Sequence, residues 1–432
     1  MQMLLGWIFL AVFVTIIILI SIGKVEESIA ALLGGSFMGL ILMFYEGVPF
    51  EKIIEFANFK VLLAFLGIMI IVQISIESGI FHLIAIKAVK MTKSDPLKLF
   101  IVLNFMAAMI ALFISALAAI IIIGSLTIMV AKTLKTDPEP YMISEAIMVD
   151  IGALGLMFSF PAIIMTQLVQ LDLIFFLEYT LPFTLFAVPL SIIFLYKRLS
   201  TYIKPVSERR KILLMEFDEW SLVPSKRAFY TTGIMLTIIL ILMLTIQMLY
   251  IVAFIGSLIM LFISGLDPEE VFEKLPWNQV FFIAGLSVMV EAINHEGVLE
   301  VIGEVLAETF GQNLLLLLIV ILWVASLLSG AIDNIPVVLT FVPIIQTIAL
   351  IKGIPESDLF IFWATLLIAT NVGGNIQTYG SSTTILAKGI TEASKYKFST
   401  SLFFKIGREW TISHLIIGTL YIVVLYLSLI HI

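Results

Sequence analysis

The chain of 432 residues contains no cysteine, which excludes disulfides, thiolate metal sites and thiol-based sensing. Charge is scarce as well: Asp, Glu, Lys and Arg make up 13% of the residues, about half their share in a typical soluble protein. The alternation of apolar and polar residues that marks a transmembrane β-strand is also missing. These absences exclude a soluble domain and disfavour a membrane β-barrel.

Apolar residues make up 61% of the chain, and many lie in runs that approach the ~20 residues a helix needs to cross a bilayer. These runs predict an all-α polytopic membrane protein with ten spans. Two further apolar segments, each interrupted near its middle, are interpreted as re-entrant hairpins at 97–135 and 313–351. The predicted spans are the first run LLGWIFLAVFVTIIILISI and residues 28–45, 61–77, 143–165, 178–196, 231–248, 250–266, 279–292, 359–388 and 410–428.

The basic residues give this topology a direction, because cytoplasmic loops are enriched in Lys and Arg. All 24 of them except Lys52, Lys60 and Lys352 fall on one side of the predicted membrane. The basic loop 196–230 is therefore predicted to be cytoplasmic and both termini outside, in a multi-pass protein of the cytoplasmic membrane. Since this basic charge serves orientation, no nucleic-acid partner is expected. The first run has Lys24 after it and no basic residue before it, so it is interpreted as a retained helix.

The chain also contains an internal repeat, predicted as residues 1–200 and 229–432, with a cytoplasmic linker at 201–228. Each half holds five spans, one hairpin and one broken helix. Since five is odd, the halves run through the membrane in opposite directions, as in many secondary transporters. The paired positions are Gly79 with Gly297, Ser115 with Ser329, Asp150 with Asn371, and Gly152 with Gly373.

The segment ATNVGGNIQTYGSSTTILA, residues 369–387, places glycines, amides and hydroxyls inside a predicted span. A helix can break at membrane depth only where it lines a cavity or is buried in protein. The break would offer oxygens to a dehydrated cation, and the restarting helix would direct its N–H groups into the gap. The candidate binding residues here are Asn371, Gly373, Gly374, Asn375, Thr378, Ser381, Ser382 and Thr383.

The second hairpin carries SGAIDNIPVV, with Ser329 at the turn and Asp333 and Asn334 at the tip. A carboxylate at the bilayer centre costs ~2.5–3.5 kcal/mol on insertion scales, so a bound cation, a proton or an amide partner is expected. We therefore predict a Na⁺ or H⁺ site built from Asp333, Asn334, Asn371 and Asn375. The alternative is that Asp333 only caps the returning helix.

SGAIDNIPVVLTFVPI and NVGGNIQTYGSSTTILAKGITEASKYKFSTSLFFKIG resemble the second half of the arsenite permease and melanosomal P protein group of the ion transporter superfamily. The resemblance covers most of residues 270–420, and the D-N-x-P and G-G-N-x(4)-G-[SA]-S patterns carry it. It implies an elevator-type carrier with a scaffold that forms a homodimer and a mobile domain of hairpins and broken helices. It leaves the transported ion open.

The first half departs from that family pattern. Ala119 and Ile120 stand where an aspartate and an asparagine are expected at the first hairpin, and SFPAI, residues 159–163, replaces a glycine-rich loop. Asp150 in turn replaces an expected asparagine. One cation site therefore looks dismantled, and we interpret Asp150 as a titrating or cation-binding group. The alternative is that the first half is packing and Asp150 is merely hydrogen-bonded.

The resulting prediction is a secondary active transporter for a small ion, coupled to Na⁺ or H⁺, with cation/proton antiport favoured. A carrier of arsenite, another oxyanion or a dicarboxylate is the alternative, and an ion channel or an intramembrane enzyme is a weaker one. Asp150 and Asp333 lie outside the Tyr-Asp and Gly-x-Gly-Asp contexts of membrane aspartyl proteases, and H-E-x-x-H is absent. No cofactor is expected beyond a bound Na⁺. Glu77 and Glu291 end equivalent spans, where they either form the entrance to the carrier or are solvated.

Overall fold

The computed structural model describes residues 2–246 and 248–430, and within these ranges the chain is helical without a β-strand. The helices of the first half are α1 (Gln2–Ser21), α2 (Glu27–Tyr45), α3 (Phe50–Phe56), α4 (Phe59–Glu77), α5 (Ile80–Met91), α6 (Pro96–Phe113), α7 (Ala116–Leu134), α8 (Glu139–Ala153), α9 (Phe160–Leu168), α10 (Leu173–Phe175) and α11 (Leu181–Leu199). A π-helical turn, Phe176–Thr180, joins α10 to α11.

The linker contains α12 (Glu208–Met215) and two 3₁₀ turns, Ser200–Tyr202 and Glu219–Leu222. The helices of the second half are α13 (Lys226–Thr245), α14 (Leu249–Ser264), α15 (Pro268–Glu273), α16 (Trp277–His295), α17 (Val298–Phe310), α18 (Leu314–Ala331), α19 (Asn334–Lys352), α20 (Glu356–Gly373), α21 (Ser382–Ala393) and α22 (Thr400–Ile430). Residue 247 of the predicted span 231–248, and residues 1, 431 and 432 of the predicted repeats, lie outside the described part.

Ten helices of the described chain are long and apolar enough to cross a membrane, so the predicted polytopic all-α fold is confirmed. Four of the ten are the arms of the two predicted hairpins, α6–α7 and α18–α19. The two predicted broken spans appear as α8 with α9 and α20 with α21, because glycines and polar residues interrupt them. The last span is longer than predicted, since α22 begins at Thr400.

The order of helices repeats between the halves, from the pair α1 and α2 to the long final helix. The packing repeats with it: α2 lies on α16, and the equivalent helices α14 and α4 pack in the same way. A Cβ atom added to Gly285 would lie 2.4 Å from the carbonyl carbon of Ala31, and one added to Gly67 would lie 2.5 Å from that of Ala253. Small residues let these backbones approach closely, which is how membrane helices pack. We refer to these four helices as the scaffold helices.

At the hairpin tips, the predicted pairing of Ser115 with Ser329 is wrong by one helical turn. Ser115 caps α7, and its hydroxyl accepts a hydrogen bond from the Ala118 N–H at 3.3 Å. Asp333 caps α19 in the same way, accepting from the Ile335 N–H at 3.2 Å. Ser115 and Asp333 lie 218 positions apart, the same separation as Gly79 and Gly297. The sequence comparison matched two serines, whereas the structure matches the two residues that begin a helix.

The linker is tied to the first half through α5. Lys90 donates hydrogen bonds to the Phe217 carbonyl oxygen at 2.9 Å and to Glu219 at 2.7 Å. The hydrogen bond from Lys90 lowers the pKa of the Glu219 carboxyl below its usual value. The linker therefore lies against the end of the molecule at which α5 leads into the first hairpin.

Candidate functional site

Both hairpin tips and both helix breaks meet at one small cavity of about 30 Å³. The start of α7 and the first break form one side, and the tip of α19 with the second break forms the other. Seven of the residues predicted as binding residues line this cavity: Asp150, Asp333, Asn334, Asn371, Ser381, Ser382 and Thr383. The pairs of segments that the sequence separates by more than 200 residues are thus brought to a common point.

The two carboxylate oxygens of Asp333 make different contacts at this cavity. Its Oδ1 atom accepts the Ile335 N–H, so the carboxylate caps α19. Its Oδ2 atom accepts a hydrogen bond of 2.7 Å from the Ser382 hydroxyl at the start of α21. The capping alternative therefore describes only one of the two carboxylate oxygens, and the other joins the second hairpin to the second break.

Asp150 reaches the same helix start from the first half. The hydroxyl of Thr383 donates a 2.8 Å hydrogen bond to its Oδ1 atom, and the Asp150 side chain is buried. Its Oδ2 atom is buried without a hydrogen-bond partner among the described residues. Two consecutive residues of α21, Ser382 and Thr383, therefore bind two carboxylates, one from each half of the chain. A buried carboxylate oxygen without a donor is costly unless a cation or a proton satisfies it.

The amides of the second break bind mainly to their own helix. Asn371 Nδ2 donates to the Leu367 carbonyl oxygen at 2.9 Å, and Asn375 Nδ2 donates to the Asn371 carbonyl oxygen at 3.0 Å. The Oδ1 atom of Asn375 and the hydroxyl of Thr378 are buried without a partner in the described part of the chain. Asn375 and Thr378 thus carry unpaired oxygens in the second break, although they do not line the cavity.

Three other predicted site residues do not line the cavity but hold the segments that do. The Ser329 hydroxyl lies 2.5 Å from Asn334 Oδ1 and 2.9 Å from the Thr370 carbonyl oxygen, which holds the hairpin tip against α20. A Cβ atom on Gly373 would lie 2.2 Å from the Ser326 carbonyl oxygen, and one on Gly374 would lie 2.7 Å from Asn334 Oδ1. These glycines are needed for close packing of the hairpin on the broken helix.

The first half contributes more of the wall than the sequence indicated. Ala116, Leu117, Ser159, Phe160 and Pro161 all line the cavity, and none of them was predicted as a site residue. Of these five residues, Ser159 could have been identified by capping, because it begins α9 as Ser381 begins α21.

The residues that replace Asp333 and Asn334 at the first tip are Ser115 and Ala116, by the capping register. Ala119 and Ile120, which were predicted to stand there, lie one turn further into α7 and are buried. The first hairpin tip is therefore formed by Ser115 and Ala116, and it still carries no carboxylate.

Helix starts surround the site: α7, α9, α19 and α21 all begin at the cavity. Three of these starts use their own cap, because Ser115, Ser159 and Asp333 accept backbone N–H groups of the following turn. Ser381 makes no such bond at the start of α21. The positive ends of the four helix dipoles stabilise the two carboxylates.

Of the larger cavities outside the site, two correspond to each other through the repeat. One of about 510 Å³ shares Leu117 and Ser382 with the site, and the other, of about 110 Å³, shares none of its residues. Helix α4 lines the larger cavity and its equivalent α16 lines the smaller one, and each lining residue of α4 has its counterpart 218 positions later in α16. The α4 residues are Met69, Val72, Gln73 and Ile76, and the α16 residues are, in the same order, Ser287, Val290, Glu291 and Asn294. In the predicted topology the larger cavity faces the cytoplasm. We call them the inner and outer vestibules.

The two candidate entrance residues differ in their surroundings. Glu77 lies beside the inner vestibule, where its Oε1 atom accepts hydrogen bonds from Lys274 at 2.7 Å and Gln73 at 2.9 Å. The hydrogen bond between Lys274 and Glu77 raises the pKa of the Lys274 ammonium group above its usual value. Glu291 lines the outer vestibule. Glu77 is therefore paired rather than freely solvated.

An all-helical chain with apolar spans, two hairpins, two helix breaks and a small cavity lined by polar residues defines a polytopic membrane transporter. The sequence model of the citrate transporter family matches residues 17–373, and the chain belongs to this family. Membership makes the protein a transporter of small ions or anions in a lipid bilayer rather than an intramembrane enzyme.

Related proteins agree with this assignment. An uncharacterized transporter of Mycobacterium tuberculosis is 25% identical over 426 residues, which cover 97% of this chain and 98% of the relative. The P protein of Homo sapiens is 23% identical over 488 residues, covering 93% of this chain and 57% of the relative. The resemblance to the P protein group is thereby confirmed.

Two solved structures share the fold. The YdaH transporter of Alcanivorax borkumensis gives a TM-score of 0.63 at 12% identity, over 95% of this chain and 98% of that one. MtrF of Neisseria gonorrhoeae, described as one of a class of antimetabolite efflux pumps, gives 0.58 at 13% identity, over 84% and 80%. Both similarities concern the architecture of the chain.

Proposed function

We propose that this protein is a secondary active transporter that couples the movement of a small ion to Na⁺ or H⁺, most simply as a cation/proton antiporter. The observation that carries the proposal is the pair Asp150 and Asp333 at one small cavity with no basic residue in its lining. Two carboxylates at such a place favour a positively charged occupant, either a metal cation or protons.

The size of the cavity supports a small occupant. A water molecule needs at least ~10–15 Å³ of such space, so about 30 Å³ suits one dehydrated cation or a pair of waters. Pockets for small organic molecules are typically ~300 Å³ or more, so a dicarboxylate would not fit in this conformation. For a Na⁺ ion, oxygen atoms of Asp333, Asn334 and Asn371 would be the ligands, with Asn375 as a further donor in the same break.

An anion carrier is the second candidate, and it rests on different observations. The inner vestibule, about 510 Å³ in volume, has room for an oxyanion or a dicarboxylate and opens onto Ser382. The start of α21 has no side-chain cap at Ser381, which leaves backbone N–H groups that could bind an anion. Under this alternative, arsenite or a citrate-like carboxylate would be the substrate and the carboxylate pair would bind the coupling cation.

The unequal vestibules favour alternating access as the mechanism. The site adjoins the large inner vestibule, whereas the outer one is reduced to about 110 Å³. If the hairpins and broken helices move against the scaffold helices α2, α4, α14 and α16, the two vestibules would exchange roles. We infer an elevator-type motion of this kind, in a homodimer in the cytoplasmic membrane with both termini outside and the linker in the cytoplasm.

The test uses purified protein in liposomes that contain a pH-sensitive dye, with Na⁺, Li⁺ or K⁺ added outside. Cation-dependent proton movement that is lost in Asp333→Asn would support antiport at the second hairpin. Ser115→Ala is the matched control, because Ser115 is the equivalent cap of the first hairpin and carries no charge. If no cation moves protons, the antiporter is wrong, and uptake of labelled arsenite and citrate tests the anion carrier in the same liposomes.

A further inference from the structure

A second cluster of ionisable side chains lies away from the transport site, where the scaffold helices α2 and α16 end. It consists of Glu46, His295 and Glu296, whose possible ligand atoms all lie within 4.8 Å of one another. The Nδ1 atom of His295 is 3.4 Å from Glu296 Oε1 and 3.8 Å from Glu46 Oε2. In the predicted topology this cluster is at the outer surface of the membrane.

Burial makes this cluster unlike a solvated acidic patch. The Glu296 side chain has no exposed surface, and its Oε2 atom has no hydrogen-bond partner among the described residues. The Glu46 side chain is 12% exposed. A buried carboxylate oxygen without a donor carries a large desolvation cost, which a cation at the same point would offset.

The surroundings add negative charge to the cluster. Glu46 is the C-terminal cap of α2, and Glu296 is the C-terminal cap of α16. The C-terminal end of a helix carries a partial negative charge, so two such ends meet two carboxylates here. No lysine or arginine in the described chain forms an ion pair with either carboxylate. Among the described residues, only His295 could bring a compensating positive charge to the cluster, and it does so only when it is protonated.

The internal repeat indicates which positive charge is missing. At the opposite end of the molecule Glu77, at the end of α4, is paired with Lys274. The equivalent positions, 218 away in the sequence, are His295 and Phe56. The ring of Phe56 lies 6.1 Å from that of His295 and brings no charge. The inner end of the scaffold helices has its own cation, whereas at the outer end Phe56 stands in place of that lysine and His295, a nitrogen ligand, stands in place of the carboxylate.

We propose that Glu46, His295 and Glu296 bind a divalent transition-metal ion, and that Zn²⁺ suits this set of donors best. One imidazole nitrogen and two carboxylate oxygens are ordinary zinc ligands, whereas Mg²⁺ and Ca²⁺ prefer oxygen alone. Ligands at ~2.0–2.1 Å in a tetrahedral site lie roughly 3.3 Å apart. The separations of 3.4 and 3.8 Å are close to this value, and a water molecule would complete the shell. The ion would tie the end of α2 to the end of α16.

The experiment uses isothermal titration calorimetry to measure zinc binding to the full chain. The protein is purified with an affinity tag that contains no histidine and is stripped of metal beforehand. We expect one strong site per chain. His295→Asn and Glu296→Gln should each weaken the affinity at least about tenfold, since even the loss of a residue that only orients a ligand costs ~10–100-fold. At the same zinc concentration, zinc should also raise the melting temperature of the native chain more than that of either variant.

His82→Asn is the matched control, because it removes a histidine outside the cluster and should leave zinc affinity intact. Elution as a single symmetric peak establishes that each variant is folded. Displacement of zinc by millimolar Mg²⁺ or Ca²⁺ would contradict the assignment of the metal. Absence of zinc binding in the folded native chain, or equal affinity in the native chain and His295→Asn, would overturn the site.

Discussion

The two halves of the chain bring the same backbone to the transport site with different chemistry. The first hairpin presents Ser115 and Ala116 where the second presents Asp333 and Asn334. Ser and Asp both cap a helix, so either residue satisfies the backbone requirement of the tip. Only the aspartate also supplies a charge to the cavity. Folding and ion binding thus make separate demands on one position, and the first half has kept the former without the latter.

The first half also contributes a negative charge to the site, but from Asp150 in its broken helix and not from its hairpin tip. The position equivalent to Asp150 in the second half is Asn371, if the close-packed glycines Gly152 and Gly373 set the register. Each half therefore contributes one carboxylate, at the tip in one and in the broken helix in the other. The asymmetry lies in where the carboxylates are placed, and it can be tested one position at a time.

The largest effect is expected for Asp150→Asn. Asparagine keeps the oxygen that accepts the Thr383 hydrogen bond but removes the charge and the titratable oxygen. We expect cation-driven proton flux in liposomes to fall at least about tenfold, if the loss of one such charge costs ~1.4 kcal/mol or more. Full coupled transport by Asp150→Asn would reduce this aspartate to a hydrogen-bonded packing residue.

Glu145→Gln is the matched control for that measurement. Glu145 is a buried carboxylate on the same helix, α8, five positions before Asp150, and it does not line the cavity. Its Oε1 atom accepts a 2.5 Å hydrogen bond from Thr127 on α7. The control removes a buried charge from the same helix, so retained coupling in Glu145→Gln would assign the effect to the cavity.

A smaller effect, on stability, is expected when the two close-packed glycines are filled. In Gly373→Ala the new methyl group would lie 2.2 Å from the Ser326 carbonyl oxygen, and in Gly152→Ala 2.3 Å from that of Ala108. Overpacking of this kind costs ~1–3 kcal/mol, so both variants should melt at a lower temperature. If the halves differ only in chemistry, the two losses should be similar, while transport should suffer more in Gly373→Ala.

Gly389→Ala provides the control for the glycine pair, since a Cβ atom there meets no atom within 4 Å. Alanine is favoured over glycine in a helix by ~0.8–1.0 kcal/mol, so this variant should melt at the same temperature or higher. A loss of stability in Gly389→Ala equal to that of the pair would mean that the close contacts are not the cause.

Much of the fold was predictable because each feature has a local signal. Apolar runs gave the spans, interruptions gave the hairpins and breaks, and the two half-chains could be matched by their glycines. Asp150 and Asp333 were recognisable because a carboxylate inside an apolar run is costly and is therefore typical of a functional site. The same reasoning identified the polar residues of the second break, of which Asn371, Ser381, Ser382 and Thr383 line the cavity.

The remaining features had no such signal. Ala116, Leu117 and Phe160 are ordinary apolar residues in sequence, and only the meeting of the two halves makes them walls of the site. The matching of Ser115 with Ser329 failed because residue identity was followed instead of the helix start. The cluster of Glu46 with His295 and Glu296 joins positions about 250 residues apart, which no sequence pattern connects.

The vestibules offer the subtlest comparison of the halves, and the absence of cysteine makes it measurable, since any introduced cysteine is unique. Ile76→Cys would line the inner vestibule, and Asn294→Cys, its equivalent 218 positions later, would line the outer one. Both native side chains are half-buried, so their own exposure does not favour either. A membrane-impermeant maleimide should modify Ile76→Cys from the cytoplasmic side several-fold faster than it modifies Asn294→Cys from the opposite side. Faster modification of Asn294→Cys would mean that the outer vestibule is the open one, and equal rates would mean that the difference of about 400 Å³ between the two vestibules does not govern access in the membrane.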